Sequence, residues 1–501
     1  MGPEVSNQQE QDGALTPLHG INKRPFHLSG AITLFDEVLR VSRICTDSAA
    51  PIVATFGSAR SQPNHDHYKL AERTGAVLAR SGFSTVTGAG PGVMEGANKG
   101  AFEAIKSGAT PKGVESMGVK IYLPFERDLN PYLTQDTVTC QYFASRKLGL
   151  TKNSVALVCL PGGMGTADEM IEVIKVSNSY DPPIPVILVG DYWKPLMRFM
   201  ETNPDGPVQR GYMDPRALRN VHYVDNEQDL PDLIQEKAAR RIERYHGTRE
   251  AALTEPKNEF DWTMAIKLDS AFENGSQKML NAVLDGRLSR YPLACVASHQ
   301  VTDLDGVEKT LHQIGKYANL QGVPLMVADS GGAMGSALDG FFSAIGNPLS
   351  TAFALDLRAE PEDLHGDKVV RVYPKYHMNQ ELMLTKFSAG AVVGPGGLGT
   401  ISFAAEILDL QTTGKSADYR MALVGSRFWN AFFDSLREIS YQSPGRNDGA
   451  DGGHDYISWG KIEERTVITD DSAEALGFAL DSDTARRRQA RLDRFRAEQL
   501  A

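Results

Sequence analysis

Cysteine is scarce in this chain: four in 501 residues, at Cys45, Cys140, Cys159 and Cys295. They are scattered and form no CxxC pair, which excludes a disulfide scaffold and a cysteine zinc site. Cys159 and Cys295 sit inside apolar runs and read as buried free thiols of a reducing compartment. The 11 histidines show no metal-ligand spacing on a predicted helix, so no metal is expected. No run approaches the ~20 apolar residues of a membrane span. The polar start MGPEVSNQQEQDG lacks the apolar core of a signal peptide, and Pro3 after Gly2 spoils a myristoylation pattern. The reading is a cytoplasmic protein with no membrane partner. Positive charge is also in deficit, 52 Lys and Arg against 63 Asp and Glu, which argues against nucleic acid as a partner.

What the chain has in excess is glycine, 47 residues without a collagen-like period. A hydrophobic share of 41% is enough for sizeable cores. Length alone suggests about three domains at ~150 residues each. Short apolar runs alternate with helical patterns. Strands are predicted at 51–56, 83–87, 119–123, 155–160, 185–189 and 221–224. Helices are predicted at 29–44, 68–80, 93–107 and 167–176. The second half repeats this order, with strands at 293–298, 325–328, 369–373, 391–394, 421–424 and 466–469. Strands alternating with helices predict an α/β fold: two Rossmann-like domains with parallel β-sheets flanked by helices.

An internal duplication explains the repeated order. Residues 92–104 and 332–344 match at six of thirteen positions, and 151–166 and 385–400 at nine of sixteen. The offsets are 240 and 234, too long for a solenoid unit. The resulting division is a flexible tail (1–28), a first α/β domain (29–245), a helical connector (246–290), a second α/β domain (291–482) and a C-terminal basic helix (483–501). RNDGADGGHDY (446–456) reads as a mobile loop.

The strongest chemical signal is PGGMGT (161–166), entered by a strand and left by a helix. Glycine there permits a sharp turn and close approach, and the helix N-terminus favours a phosphate. TGAGPG (87–92) is a second such turn in the same domain. Neither fits GxGxxG or GxxxxGK[ST]. Thr166-Ala-Asp-Glu169 also has the spacing of a capping box, which leaves Glu169 open between a structural and a chemical role.

GSAR (57–60), GAGPGVMEGANKGA (88–101), SRK (145–147) and PGGMGTADE (161–169) together resemble the LOG family, often labelled lysine decarboxylase. Nothing in the sequence marks a lysine for a pyridoxal cofactor, and no cofactor is expected. The resemblance implies a phosphoribohydrolase that splits nucleoside 5′-monophosphates into free base and ribose 5-phosphate. It implies catalytic roles for Arg146 and Glu169. It implies a substrate cradle of Ser58, Gly88, Gly90, Gly92, Met94, Glu95, Lys147, Gly162, Gly163, Gly165 and Thr166. LOG-like enzymes resemble homodimers, so a homo-oligomer or an internal pseudo-dimer is expected.

The second copy keeps the loop PGGLGT (395–400) but replaces the reactive groups. Gln380, Glu381 and Phe403 align with Arg146, Lys147 and Glu169, and Gln300 with Arg60. Two readings remain for it: a regulatory nucleotide site at Gly396, Gly397, Gly399 and Thr400, or a packing partner. For the whole chain, a non-catalytic nucleotide sensor is the alternative to an enzyme.

Overall fold

The computed structural model describes residues 36–37, 40–41, 48–122, 129–135, 137–254, 277–278, 281–282, 290–299, 306–328, 331–344, 351–355, 369–372, 377–414, 418–442 and 456–500. The predicted tail, Cys45, Gln300, most of the connector and residues 446–455 lie outside them.

The first half builds one sheet from β1 (Ile52–Phe56), β2 (Ser84–Thr87), β3 (Ser116–Ile121), β4 (Val138–Cys140), β5 (Ser154–Cys159), β6 (Val186–Val189) and β7 (Val221–Val224). Its helices are α1 (Asp66–Arg80), α2 (Val93–Lys106), α3 (Phe143–Lys152), α4 (Met164–Ser177), α5 (Lys194–Glu201), α6 (Leu230–Lys237) and α7 (Ala239–Thr254). Helix α7 runs through residue 245 without a break. The second half adds β8 (Leu293–Val296), β9 (Leu325–Val327), β10 (Ala352–Leu355), β11 (Val369–Val372), β12 (Gly390–Val393), β13 (Met421–Leu423) and β14 (Thr466–Ile468). With them come α8 (Val307–Leu320), α9 (Gly332–Ser343), α10 (His377–Lys386), α11 (Leu398–Thr412), α12 (Ser426–Tyr441), α13 (Trp459–Arg465), α14 (Ser472–Leu480) and α15 (Asp483–Leu500).

Both sheets have seven strands, all pairs parallel, in the orders β4-β3-β2-β1-β5-β6-β7 and β11-β10-β9-β8-β12-β13-β14. The two orders are the same. Chain direction across each sheet reverses between β1 and β5 and between β8 and β12, which is where such folds open a ligand crevice. Strands buried on both faces read as continuous apolar runs, and successive side chains serve opposite faces. Ile52, Ala54 and Phe56 face one core, while Val53 faces the other with Ala71, Leu78 and Val93 of α1 and α2. Helices α1 and α2 cross so closely that a Cβ on Gly75 would lie 1.9 Å from the Ala97 carbonyl oxygen. Gly315 meets the Ala337 carbonyl at the same 1.9 Å between α8 and α9.

The first core continues into the second half. Phe199 of α5 packs on Phe428 and Phe432 of α12, with ring centroids 5.3 and 5.5 Å apart. Helices α4 and α11 lie against each other. Tyr456, placed by the sequence in a mobile loop, is instead buried at 4% exposure. It stacks near His67 and Tyr192. Cys159 and Cys295 are buried and free, as expected, and so is Cys140. No helix among the described residues is long and apolar enough to cross a membrane.

Candidate functional site

The loops after β1, β2 and β5 converge at the first switch point. Ser58 N–H donates to the Pro161 carbonyl at 3.0 Å, and Val93 N–H to the Ser58 carbonyl at 2.8 Å, which ties the three loops together. Ser58 Oγ accepts from the Arg60 N–H at 3.0 Å. Gly92 starts α2 at φ 73°, a left-handed conformation, and a Cβ there would strike the Ser58 carbonyl at 2.3 Å. Thr87 Oγ1 accepts from the Ala89 N–H at 3.0 Å, and the Gly90 carbonyl accepts from Asn130 Nδ2 at 3.3 Å.

Arg146 and Glu169 meet in this crevice. Arg146 Nη1 lies 3.0 Å from Glu169 Oε1, with each side chain only 9% exposed. Arg146 Nε donates to the Val119 carbonyl within β3, at 3.3 Å. The guanidinium passes directly over Gly88, where a Cβ would lie 2.1 Å from Nη2 and 2.7 Å from Met94 Sδ. Burial pushes the Glu169 carboxyl above its usual range, and Arg146 and Lys147 only partly offset this. The helix begins at Met164 with Gly163 as its unassisted cap, so Thr166 is already inside the first turn. The capping-box reading of Glu169 therefore fails: its carboxylate is on Arg146. Thr166 Oγ1 fills the space beside Gly162.

Two expected site residues turn elsewhere. Lys147 is one step, about 100°, around α3 from Arg146. Its Nζ is buried 2.7 Å from both Asp168 and Glu172 of α4. Burial would lower this ammonium, but Asp168, Glu172 and Glu406 drive it well above its usual range. Glu95 accepts from Tyr68 Oη of α1 at 2.9 Å.

The glycines of the PGGMGT loop also serve contacts between the halves. A Cβ on Gly163 would lie 2.1 Å from the Tyr456 carbonyl oxygen, and one on Gly165 2.9 Å from Asp409 Oδ1. Reciprocally, a Cβ on Gly397 would lie 2.6 Å from the Tyr212 carbonyl oxygen. Gly396 packs on Thr400 as Gly162 does on Thr166, while Gly399 faces open space. Ser458, Tyr456 and Glu37 are neighbours of the first site that no sequence motif marked. Arg60 Nη2 donates to Ser458 Oγ at 2.7 Å, across the halves. Tyr456 Oη lies 3.1 Å from His67 Nδ1. Glu37 accepts from the Gln141 N–H at 2.6 Å and the Tyr142 N–H at 3.3 Å, at the start of the helix that carries Arg146. In the second half Gln380 Nε2 donates to the Ala328 and Leu355 carbonyls, and Phe403 is 1% exposed.

A doubly wound parallel sheet with glycine loops and a buried Arg–Glu pair at its switch point has the layout in which such folds bind small molecules. Residues 99–234 match the family described as possible lysine decarboxylase, in the same stretch where the first half resembles LOG proteins. The chain is 26% identical over 172 residues to the cytokinin riboside 5′-monophosphate phosphoribohydrolase of Mycobacterium tuberculosis, covering 34% of this chain and 86% of the relative. It is 31% identical over 93 residues to a probable cytokinin riboside 5′-monophosphate phosphoribohydrolase of Oryza sativa subsp. japonica, covering 18% of this chain and 42% of the relative. A solved molybdenum cofactor carrier protein from Chlamydomonas reinhardtii aligns at 22% identity over 38% of this chain and 99% of its own, with a TM-score of 0.27, too low to support anything further.

Proposed function

We propose that the first half hydrolyses nucleoside 5′-monophosphates to free base and ribose 5-phosphate. The observation that carries the reading is the buried Arg146–Glu169 pair, 3.0 Å apart, beside the glycine loops of β2 and β5. Breaking an N-glycosidic bond develops positive charge on the ribose, which a carboxylate stabilises. Glu169 supplies that carboxylate. Arg146 holds it in place and presents cationic charge to the phosphate or the departing base. Water adds to the anomeric carbon, and the base leaves with the proton. The N–H groups of Gly163, Gly165 and Thr166 at the start of α4, with Ser58, cradle the 5′-phosphate. The mechanism calls on no metal.

The second half reads as a duplicate without this chemistry. Gln380 spends its amide on backbone carbonyls at the place where Arg146 reaches Val119, and an apolar Phe403 replaces the carboxylate. Its equivalent packing makes the chain an internal pseudo-dimer.

Incubation with AMP, GMP, CMP, UMP and an N6-prenylated AMP tests the reading. Release of base and ribose 5-phosphate is expected, with a loss of about 10²–10⁴-fold in Glu169→Gln. Tight nucleotide binding without base release would make the protein a sensor instead.

A further inference from the structure

The seam between α4 and α11 is laid out in charge. Lys175 of α4 lies 2.7 Å from Glu381 Oε1 of α10 and donates to Ser402 Oγ of α11 at 3.0 Å. Both ion-pair partners are almost buried, at 5% and 6% exposure. Lys147 sits in the same seam with its own Asp168 and Glu172, facing Glu406. Asp409 reaches the first turn of α4 beside Gly165.

Equivalent positions of the halves make this layout informative. Lys147 corresponds to Glu381, Asp168 to Ser402, Glu172 to Glu406 and Lys175 to Asp409. At these four positions both lysines come from the first half; Lys386 of α10 also crosses to the first half, but onto the Tyr142 ring. The second half contributes three carboxylates, Glu381, Glu406 and Asp409, and at these positions no cation. A second half packed on another second half in the same way would bury six carboxylates with no lysine at the corresponding positions. A first half packed on itself would carry lysines and carboxylates in equal number.

We infer that the second half is a dedicated pairing partner, charge-coded to accept the first half and to refuse a copy of itself. The code acts through desolvation, because a buried carboxylate without a cation is strongly unfavourable. It also has a consequence for assembly. A duplicated chain could polymerise if first halves paired with first halves and second halves with second halves of neighbouring chains. Refusal on one side stops that growth, and assembly closes within one chain.

The test uses the full chain with a protease site inserted between residues 254 and 277. After cleavage the wild-type halves should co-elute in gel filtration. Lys175→Glu or Glu381→Lys should weaken the pairing on the order of 10²–10³-fold, the size expected for one broken buried pair. The double variant Lys175→Glu/Glu381→Lys should recover at least tenfold of that loss. Second halves released from Lys175→Glu should elute as monomers. Should a reversed charge prevent folding, Lys175→Met and Glu381→Gln, singly and combined, give the same comparison, with the combined variant tighter than either single one. Wild-type halves that separate on cleavage, combined variants no tighter than the single ones, or a second-half dimer would each overturn the inference.

Discussion

The carbonyl oxygen of Tyr456 occupies the space where Gly163 would carry a side chain, 2.1 Å from the ideal Cβ position. One glycine thus turns the chain into α4 and admits the opposite half of the molecule. Tyr212 does the same to Gly397, at 2.6 Å.

Alanine at Gly163 is therefore expected to cost about 1–3 kcal/mol, because backbone cannot yield as a flexible side chain does. Gly399→Ala, facing open space inside a helix, should stay within about 0.5 kcal/mol of wild type. Thermal unfolding of the two variants makes the comparison. Equal effects would contradict the contact.

The acid side of the pH–activity profile should sit above the ordinary carboxylate range. Burial raises Glu169, and in the proposed mechanism its ionised form stabilises a cationic sugar, so activity should fall as pH drops through that raised value. Arg146→Ala removes the charge that opposes the shift, so it should move the acid limb further up and cut kcat/KM by about 10²-fold or more. A limb that stays in place in Arg146→Ala would count against the pairing as the source of control.

Glu406 offers a second pH reading, on stability. Burial pushes its carboxyl up to about 7; Lys147 pulls it down, Glu381 and Glu172 push it further up, and Lys175 again opposes. A carboxyl raised on folding contributes its stability below the unfolded value and loses it as pH rises through the folded one. Stability should thus decline between about pH 4.5 and 7, by at most about 1.4 kcal/mol per unit from this group. Denaturant titrations of wild type and Glu406→Gln across that window check the sign. The variant should show the flatter profile.

Glu37→Gln should lower kcat/KM without touching substrate. Its carboxylate accepts the Gln141 and Tyr142 N–H groups ahead of α3 and complements the helix dipole. Loss of that charge loosens the helix that carries Arg146, and a fall of about tenfold is expected from a sub-ångström shift of the guanidinium. Rescue in Glu37→Asp, and an acid limb that moves with the rate, would separate positioning from simple destabilisation.

Local signals in the chain led to much of this. Continuous apolar runs such as Ser154–Cys159 announced strands buried on both faces, and glycine turns at their ends announced the crevice. Two short strands were silent. Val138–Cys140 is a three-residue edge strand with Thr139 exposed, and Ala352–Leu355 has only four residues without a glycine turn to mark its end. The Arg146–Glu169 pair was legible through its motifs, but the rejection of the capping box needed the true start of α4 at Met164. Nothing local told Lys147 from Arg146, because adjacent residues on a helix face different neighbours. Ser458, Tyr456 and Asp409 were out of reach, since their partners lie hundreds of residues away in the chain. Tyr456 even carried a misleading cue, since the glycine- and aspartate-rich stretch before it suggested mobility.

The parallel order of the first sheet also sets a timetable. Strand β1 lies between β2 and β5, and its Ile52–Phe56 register on Ser154–Cys159 closes only after a further hundred or so residues exist, on the order of 5–20 s later at ordinary synthesis rates. Such distant pairings fold slowly, because chain closure precedes the contacts that reward it. The crevice is assembled when β5 docks and not before. The contact of the Tyr456 carbonyl on Gly163 waits for the second half. A ribosome-bound first half therefore carries the Arg146–Glu169 pair without the Tyr456 contact, and completion of this side of the loop waits on synthesis of the second half.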